Sequence, residues 1–292
     1  MKNAIDLRIV LREKLPALSG KEKQLARYIL EHPDQAVGMS IGELAQASGV
    51  SASTIVRFCR GLDYSGYKEF SRSLLAKVSL PETDDEFDNI KEGDDAVTVL
   101  HNIGISSIRA IQETMQILSA DPLEKAVELL LRARRIDLYG MGSSGVVAHD
   151  AAMKFARLRK AVVSYQSISD QLLSALTMTP EDVAIIISYT GNTLGILELI
   201  RHLKSQGVPV ISITRYGQNP TSDLADIALH TCSNETLKRS GAMSSRIAQM
   251  VVLDTLYAAC CSRDFSTVRR YLKESSNALL WLHGNGTDDR ML

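Results

Sequence analysis

The apolar positions along the chain follow a helical period first and a strand-helix alternation afterwards. Residues 1–78 read as helices. Ser19, Gly20, Lys21 and Glu22 form a capping box, after which Leu25, Ile29 and Leu30 recur at helical spacing until His32-Pro33 ends the run. Ser40-Ile41-Gly42-Glu43 is a second capping box that opens another helix. A break at Ser48-Gly49-Val50 follows, and Ser51 caps a helix predicted over residues 52–62. Helical spacing returns over residues 96–118, at Val99, Ile103, Ile108, Ile111 and Met115, and over 122–134 with Pro122 read as the first helical residue. Beyond residue 135, short apolar runs at 136–139, 161–165, 183–188, 208–214 and 227–231 alternate with helical stretches. Several lack polar alternation, as strands buried on both faces do. A last long apolar helix is predicted over 242–261. The expected fold is therefore an all-α N-terminal domain followed by an α/β doubly wound, parallel, five-stranded domain with the flavodoxin-like order 2-1-3-4-5.

Between the two regions, residues 81–95 carry eight acidic residues against one lysine and almost no aliphatics, the composition of a solvated linker. The predicted division is 1–78, helical domain; 79–95, acidic linker; 96–275, α/β domain with its leading helices; 276–292, C-terminal tail, with 281–292 and its Gly284-Asn285-Gly286 expected to fray. The 292 residues suit two domains, and 45% apolar residues can bury sizeable cores. Net charge hides an asymmetry. Twelve Lys and Arg against eight Asp and Glu give +4 in residues 1–80, which leaves −5 for the rest of a chain of net −1. A basic head and an acidic body imply different partners.

Cys59, Cys232, Cys260 and Cys261 show neither C-x-x-C nor metal-ligand spacing, so they are expected to be buried thiols, with no metal. No signal peptide opens the sequence and no run approaches the ~20 apolar residues of a membrane span. The expected location is the cytoplasm.

Residues 41–60 have the twenty-residue pattern of a helix-turn-helix. Ala45 is small where the helices cross, Gly49 lies at the turn, and Val50, Ile55 and Phe58 lock the second helix on the first. That leaves Ser51, Ala52, Ser53, Val56 and Arg57 facing outward at the start of a recognition helix, which presents such residues to the major groove of double-stranded DNA. Arg57 is a candidate for a bidentate guanine contact or a phosphate, Ser51, Ser53 and Thr54 for phosphate or base edges, and Arg60 and Lys68 for phosphates.

Two loops carry the second chemistry. Gly140-Met141-Gly142-Ser143-Ser144-Gly145 follows the first strand and matches G-x-G-x-x-G, so a dinucleotide site must be weighed. That site also wants an acid at the end of the second strand, where this chain has Ser164-Tyr165-Gln166. No cofactor is expected. Ser188-Tyr189-Thr190-Gly191-Asn192-Thr193 follows the third strand and leads into a helix: hydroxyls, a glycine and a helix N-terminus make an anion cradle. In the order 2-1-3-4-5, strands 1 and 3 are neighbours at the switch point, so the two loops would cup one ligand.

With Ser-x-Thr-Gly-x-Thr as the second, these loops resemble a sugar isomerase (SIS) domain, and with the upstream helix-turn-helix nearly the whole chain resembles the MurR/RpiR family of transcription regulators. The segments Val50-Ser51-Ala52-Ser53-Thr54-Ile55-Val56-Arg57-Phe58-Cys59-Arg60, Gly66-Tyr67-Lys68-Glu69-Phe70 and Ser240-Gly241-Ala242-Met243-Ser244-Ser245-Arg246-Ile247-Ala248-Gln249 are similar to that family's. The resemblance implies that Ser143, Ser188, Thr190 and Thr193 hold a sugar phosphate, with Ser144, Gly191 and Asn192 in the same loops. Thr190 stands where serine is more usual. It also implies a homodimer or homotetramer, a DNA operator and a phosphorylated sugar effector, hence a repressor of sugar or amino-sugar catabolism genes and no enzyme. The alternative is a sugar-phosphate isomerase with an accessory DNA-binding domain, which needs a positioned base. Its candidates are His149, Asp170 (equally a helix cap) and Glu235 (equally an ion-pair partner of Arg239). A third reading, a DNA-binding scaffold whose α/β domain only dimerises, leaves the hydroxyls of both loops without a role.

Overall fold

The computed structural model describes residues 7–36, 39–62, 64–75, 90, 92–233, 235 and 241–282. Of the expected acidic linker only residues 90 and 92–95 are among these, and Arg239, Ser240 and Gly284-Asn285-Gly286 lie outside them. Two compact units divide between Asn102 and Ile103, so the boundary falls inside a long helix rather than in the acidic stretch.

The first unit is built on α1 (Leu7–Lys14), α2 (Gly20–Glu31), α3 (Pro33–Ala36), α4 (Ile41–Ser48), α5 (Ala52–Gly61) and α6 (Tyr67–Leu75). Both capping boxes form: Ser19 with Glu22 opens α2 and Ser40 with Glu43 opens α4. His32 terminates α2, and Pro33, which needs no N–H partner, starts the short α3. The apolar stripes meet in one core that joins Leu7, Leu11, Leu25, Ile29, Leu44, Ile55, Phe58 and Phe70. Phe70 meets the rings of Phe58 and Tyr64 edge-on, at 6.0 and 5.5 Å between centroids. Helical spacing over residues 1–78 predicts helix here without separate bounds for α1 and α6, which the structure supplies.

The second unit opens with the rest of α7 (Ala96–Ile117) and α8 (Ala120–Arg132). α8 starts two residues before Pro122 because Ser119 takes the N-cap position. Then β1 (Arg135–Gly140), α9 (Ser143–Phe155), β2 (Ala161–Ser164), α10 (Ile168–Ala175), β3 (Val183–Ile187), α11 (Leu194–Ser205), β4 (Val210–Arg215), α12 (Pro220–Leu224) and β5 (Ile227–Thr231) alternate. The five strands are parallel in the order β2-β1-β3-β4-β5, as predicted. α13 (Ser244–Arg263) and α14 (Phe265–Leu282) close the unit. α14 corrects the expected tail from residue 276: Asp264 stops α13, and the chain then turns helical again.

β3 shows why its run is unbroken. Val183, Ile185 and Ile187 enter one apolar layer with α8, α9 and α13, while Ala184 and Ile186 enter the other with α10 and α11. Each such isoleucine contributes about 1.5–3 kcal/mol by leaving water. In β1, by contrast, Asp137 is wholly buried. Its carboxylate accepts from Arg135 Nε at 2.6 Å, Tyr139 Oη at 2.6 Å and Ser174 Oγ at 2.8 Å, so the charge is paired and its lone pairs are used. Burial and this neighbouring carboxylate push the Tyr139 hydroxyl well above the usual phenol range.

Candidate functional site

The helix-turn-helix assembles as its spacing requires. Gly49 ends α4 at φ 67°, in the left-handed region, and Gln24 Nε2 donates to Ser48 O at 2.9 Å across the turn. A side chain on Gly49 would have to adopt that φ and would also press on the Gln24 amide. Val50, Ile55 and Phe58 are buried, as expected, and Ser51, Ala52, Ser53, Arg57 and Arg60 are exposed. Thr54 and Val56 are half-buried, so Val56 does not stand fully outward. Lys68 is exposed near the start of α6. The Ser51 hydroxyl accepts from Thr54 N at 3.2 Å and lies 2.8 Å from Ser53 Oγ and 2.9 Å from Thr54 Oγ1. It is already committed to capping α5, which limits it as a DNA contact. Arg57 Nε lies 3.4 Å from Glu22 Oε1. The Ser19 hydroxyl, with help from the Ser19 amide and Arg57, holds the Glu22 carboxyl below the usual range, so it is ionised at neutral pH.

In the second unit the pairing of Gly140 with Ile187 puts the ends of β1 and β3 side by side. The loops that leave them face one open cleft of about 160 Å³, lined by the hydroxyl residues Ser143, Ser144, Ser188, Thr190 and Thr193, with Met141, Ile187, Tyr189 and Ile196. Its size is below the roughly 300–1,000 Å³ of drug-sized sites and suits a small polar ligand. Ser188 Oγ and Thr193 Oγ1 lie 3.4 Å apart. α9 and α11 both begin at the cleft, and neither has a side-chain cap on its first amides. Each helix N-terminus carries roughly half a positive charge. Among the described residues no Lys or Arg lines the cleft, and the groups that face it are hydroxyls and helix N–H groups, which can attract an anion.

Two predicted members act differently. Gly191 makes the turn: its φ is +65°, its N–H donates to Ser188 O at 3.1 Å, its carbonyl accepts from Thr221 N at 3.0 Å, and a Cβ there would overlap the Asn219 amide. Asn192 is exposed and its N–H meets Thr190 Oγ1 at 3.4 Å; its side chain is not on the cleft wall. Ser144 Oγ accepts from Gln249 Nε2 of α13 at 3.3 Å. The proposed bases are not on the cleft wall, although the Glu235 carbonyl accepts from the Tyr189 hydroxyl at 3.4 Å. His149 and Asp170 are exposed, Ser167 rather than Asp170 caps α10, and Glu235 accepts from Ser245 N at 3.1 Å and Ser245 Oγ at 2.5 Å at the start of α13.

Tyr189, Gln249, Met141 and Ile196 were not singled out from the sequence. Tyr189 had a signal, since it stands between two loop hydroxyl residues. Its own hydroxyl lies 2.8 Å from Ser233 Oγ. The adjoining Cys232 donates its N–H to Thr114 Oγ1 of α7 at 3.0 Å, and its thiol lies 3.2 Å from Glu113 Oε2. Hydrogen bonds thus run from the cleft wall through residues 232–233 to α7.

Residues 6–80 match the family described as helix-turn-helix domain, rpiR family, and residues 129–259 match the SIS domain. An uncharacterized HTH-type transcriptional regulator, TTE0211, of Caldanaerobacter subterraneus subsp. tengcongensis is 39% identical over 275 residues, 94% of this chain and 97% of that one. The HTH-type transcriptional regulator HexR of Escherichia coli is 32% identical over 269 residues, 92% of each chain. The NanR protein of Vibrio vulnificus, solved in complex with ManNAc-6P, shares the fold at a TM-score of 0.60 with 23% identity, covering 94% of this chain and 98% of that one. Among the described residues no helix is long and apolar enough to cross a membrane. With a helical head that matches one model and an α/β body that matches the other, the chain belongs to the rpiR family of helix-turn-helix transcriptional regulators that carry a SIS domain.

Proposed function

We propose that this chain is a cytoplasmic repressor of sugar or amino-sugar catabolism genes whose hold on its operator is set by a phosphorylated sugar bound between the loops after β1 and β3. The observation that carries the reading is the convergence of five hydroxyl residues and two helix N-termini without side-chain caps on one cleft. A phosphoryl group has the charge for the helix ends and the oxygens for the hydroxyls. ManNAc-6P in the NanR complex is a ligand of this class. Ser143, Ser188, Thr190 and Thr193 donate to it, Ser144 sits beside them held by Gln249, and Gly191 and Asn192 shape the turn.

On the DNA side, Arg57 reads a base edge, Arg60 and Lys68 meet phosphates, and Ser51, Ser53 and Thr54 present the N-terminus of α5. Two copies pair their heads on a near-palindromic site with half-sites about 34 Å apart or a multiple of that. Exposed Val146, Met153, Leu172, Leu173 and Leu176 support self-association into a dimer or tetramer. The sensor reading is favoured over the isomerase because, among the described residues, no Asp, Glu, His or Lys lines the cleft to move a proton.

Thermal unfolding with a panel of hexose and N-acetylhexosamine 6-phosphates tests it. A matching compound at 100 times its Kd stabilises the protein by about 2.7 kcal/mol. Ser188→Ala with Thr193→Ala abolishes that gain while operator binding by the free protein persists, and Arg57→Ala does the reverse. Equal loss of both activities in either variant would remove the two-site reading.

A further inference from the structure

An exposed arginine discriminates a base only when its guanidinium is held in one orientation, and 69% of the Arg57 side chain is exposed. The hold comes from another helix. α2 packs against α5, and Glu22, at the third position of α2, divides its two carboxylate oxygens between separate tasks. Oε2 accepts from the Ser19 N–H at 3.2 Å and from the Ser19 hydroxyl, which completes the capping box. Oε1 takes the Nε–H edge of Arg57 at 3.4 Å, across 35 residues of sequence. Among the described residues, Nη1 and Nη2 of Arg57 make no hydrogen bond.

We propose that Glu22 is a positioning and specificity-determining residue for DNA: by occupying the Nε edge of Arg57, it leaves the Nη1/Nη2 fork as the edge offered to the O6 and N7 acceptors of a guanine. The chemistry is that of a planar cation with two usable donor edges, one of which is taken internally. A neighbouring carboxylate also opposes capture of the guanidinium by the nearest phosphate, because the like charges of carboxylate and backbone repel. The inference rests on the reading of α5 as the recognition helix.

The test uses the full chain and a pool of duplex DNA with randomised positions. Wild type is expected to enrich a motif with a guanine in each half-site, and Arg57→Ala to lose that guanine. Glu22→Gln keeps one carbonyl oxygen for the cap but turns an amide NH₂ toward the guanidinium. Its discrimination at the same base pair should fall at least about fivefold, while the other motif positions and the salt dependence stay. Glu22→Asp, which keeps the charge but is one methylene short, should lose it too and covers the case in which the glutamine variant folds poorly. Ser19→Ala weakens the cap yet spares Oε1, so it should lower Tm and keep the guanine. The inference is overturned if both Glu22 variants select guanine as strongly as wild type while Arg57→Ala does not. If Arg57→Ala itself retains the guanine, the reading of α5 falls first and takes the inference with it.

Discussion

At the residue scale, single positions are fixed by geometry that no other side chain meets. Gly191 is the sharpest case, because its positive φ and its contact with Asn219 act together. Gly191→Ala should destabilise the protein by more than about 1 kcal/mol, since strain in the left-handed region alone costs that much. The turn that aims Ser188 and Thr193 would shift, so sugar-phosphate affinity should drop with stability; differential scanning calorimetry with and without ligand reads both. An alanine variant with wild-type Tm would remove the account of this turn. The hydroxyls of this loop were legible in the sequence because their type and spacing are local facts. Gln249 was not, and Tyr189, whose place among the loop hydroxyls was a signal, gave no sign of its partner; neither side chain says which group it will meet 105 or 44 residues away.

At the element scale, the strands and capping boxes follow from local pattern, and the exceptions follow from pairing. β1 keeps an aspartate in the middle of a buried strand because Arg135, Tyr139 and Ser174 satisfy it. Asp137→Ala removes the buried counter-charge of Arg135 and the acceptor it shares with two hydroxyls, and should cost about 3–5 kcal/mol, read as a lower urea midpoint. Tyr139→Phe removes one donor and should cost only about 1 kcal/mol. Comparable losses in the two variants would contradict the view that the carboxylate is the centre of the network. Helix ends were harder to place: α8 starts at Ala120, with Ser119 at the N-cap position and Pro122 still within the first turn, and α14 follows α13 after the single residue Asp264. The helical spacing of Phe265, Val268, Tyr271 and Leu272 is the signal that could have extended the expected helical region through α14.

At the scale of the whole molecule, the proposed regulation requires that occupancy of the cleft be felt by α7. The hydrogen bonds from Tyr189 to Ser233 and from Cys232 to Thr114 supply a connected route to α7. Thr114→Val, isosteric but without the hydroxyl, should leave sugar-phosphate affinity and operator affinity of the free protein near wild type and cut the coupling between them, which is ordinarily of order 1–3 kcal/mol. Fluorescence anisotropy of a labelled operator, titrated with sugar phosphate, measures it; unchanged coupling would show that the signal travels elsewhere.

The sequence alone determined the two architectures, the strand order, the helix-turn-helix and the loops that bear hydroxyls, because apolar period, caps and glycine positions act within a few residues of one another. Tertiary structure decided which of those groups share a cleft, that Glu22 meets Arg57, and that Gln249 of α13 reaches Ser144. Those outcomes depend on contacts between residues dozens of positions apart, whose distances are set by how the layers pack and not by the spacing along the chain.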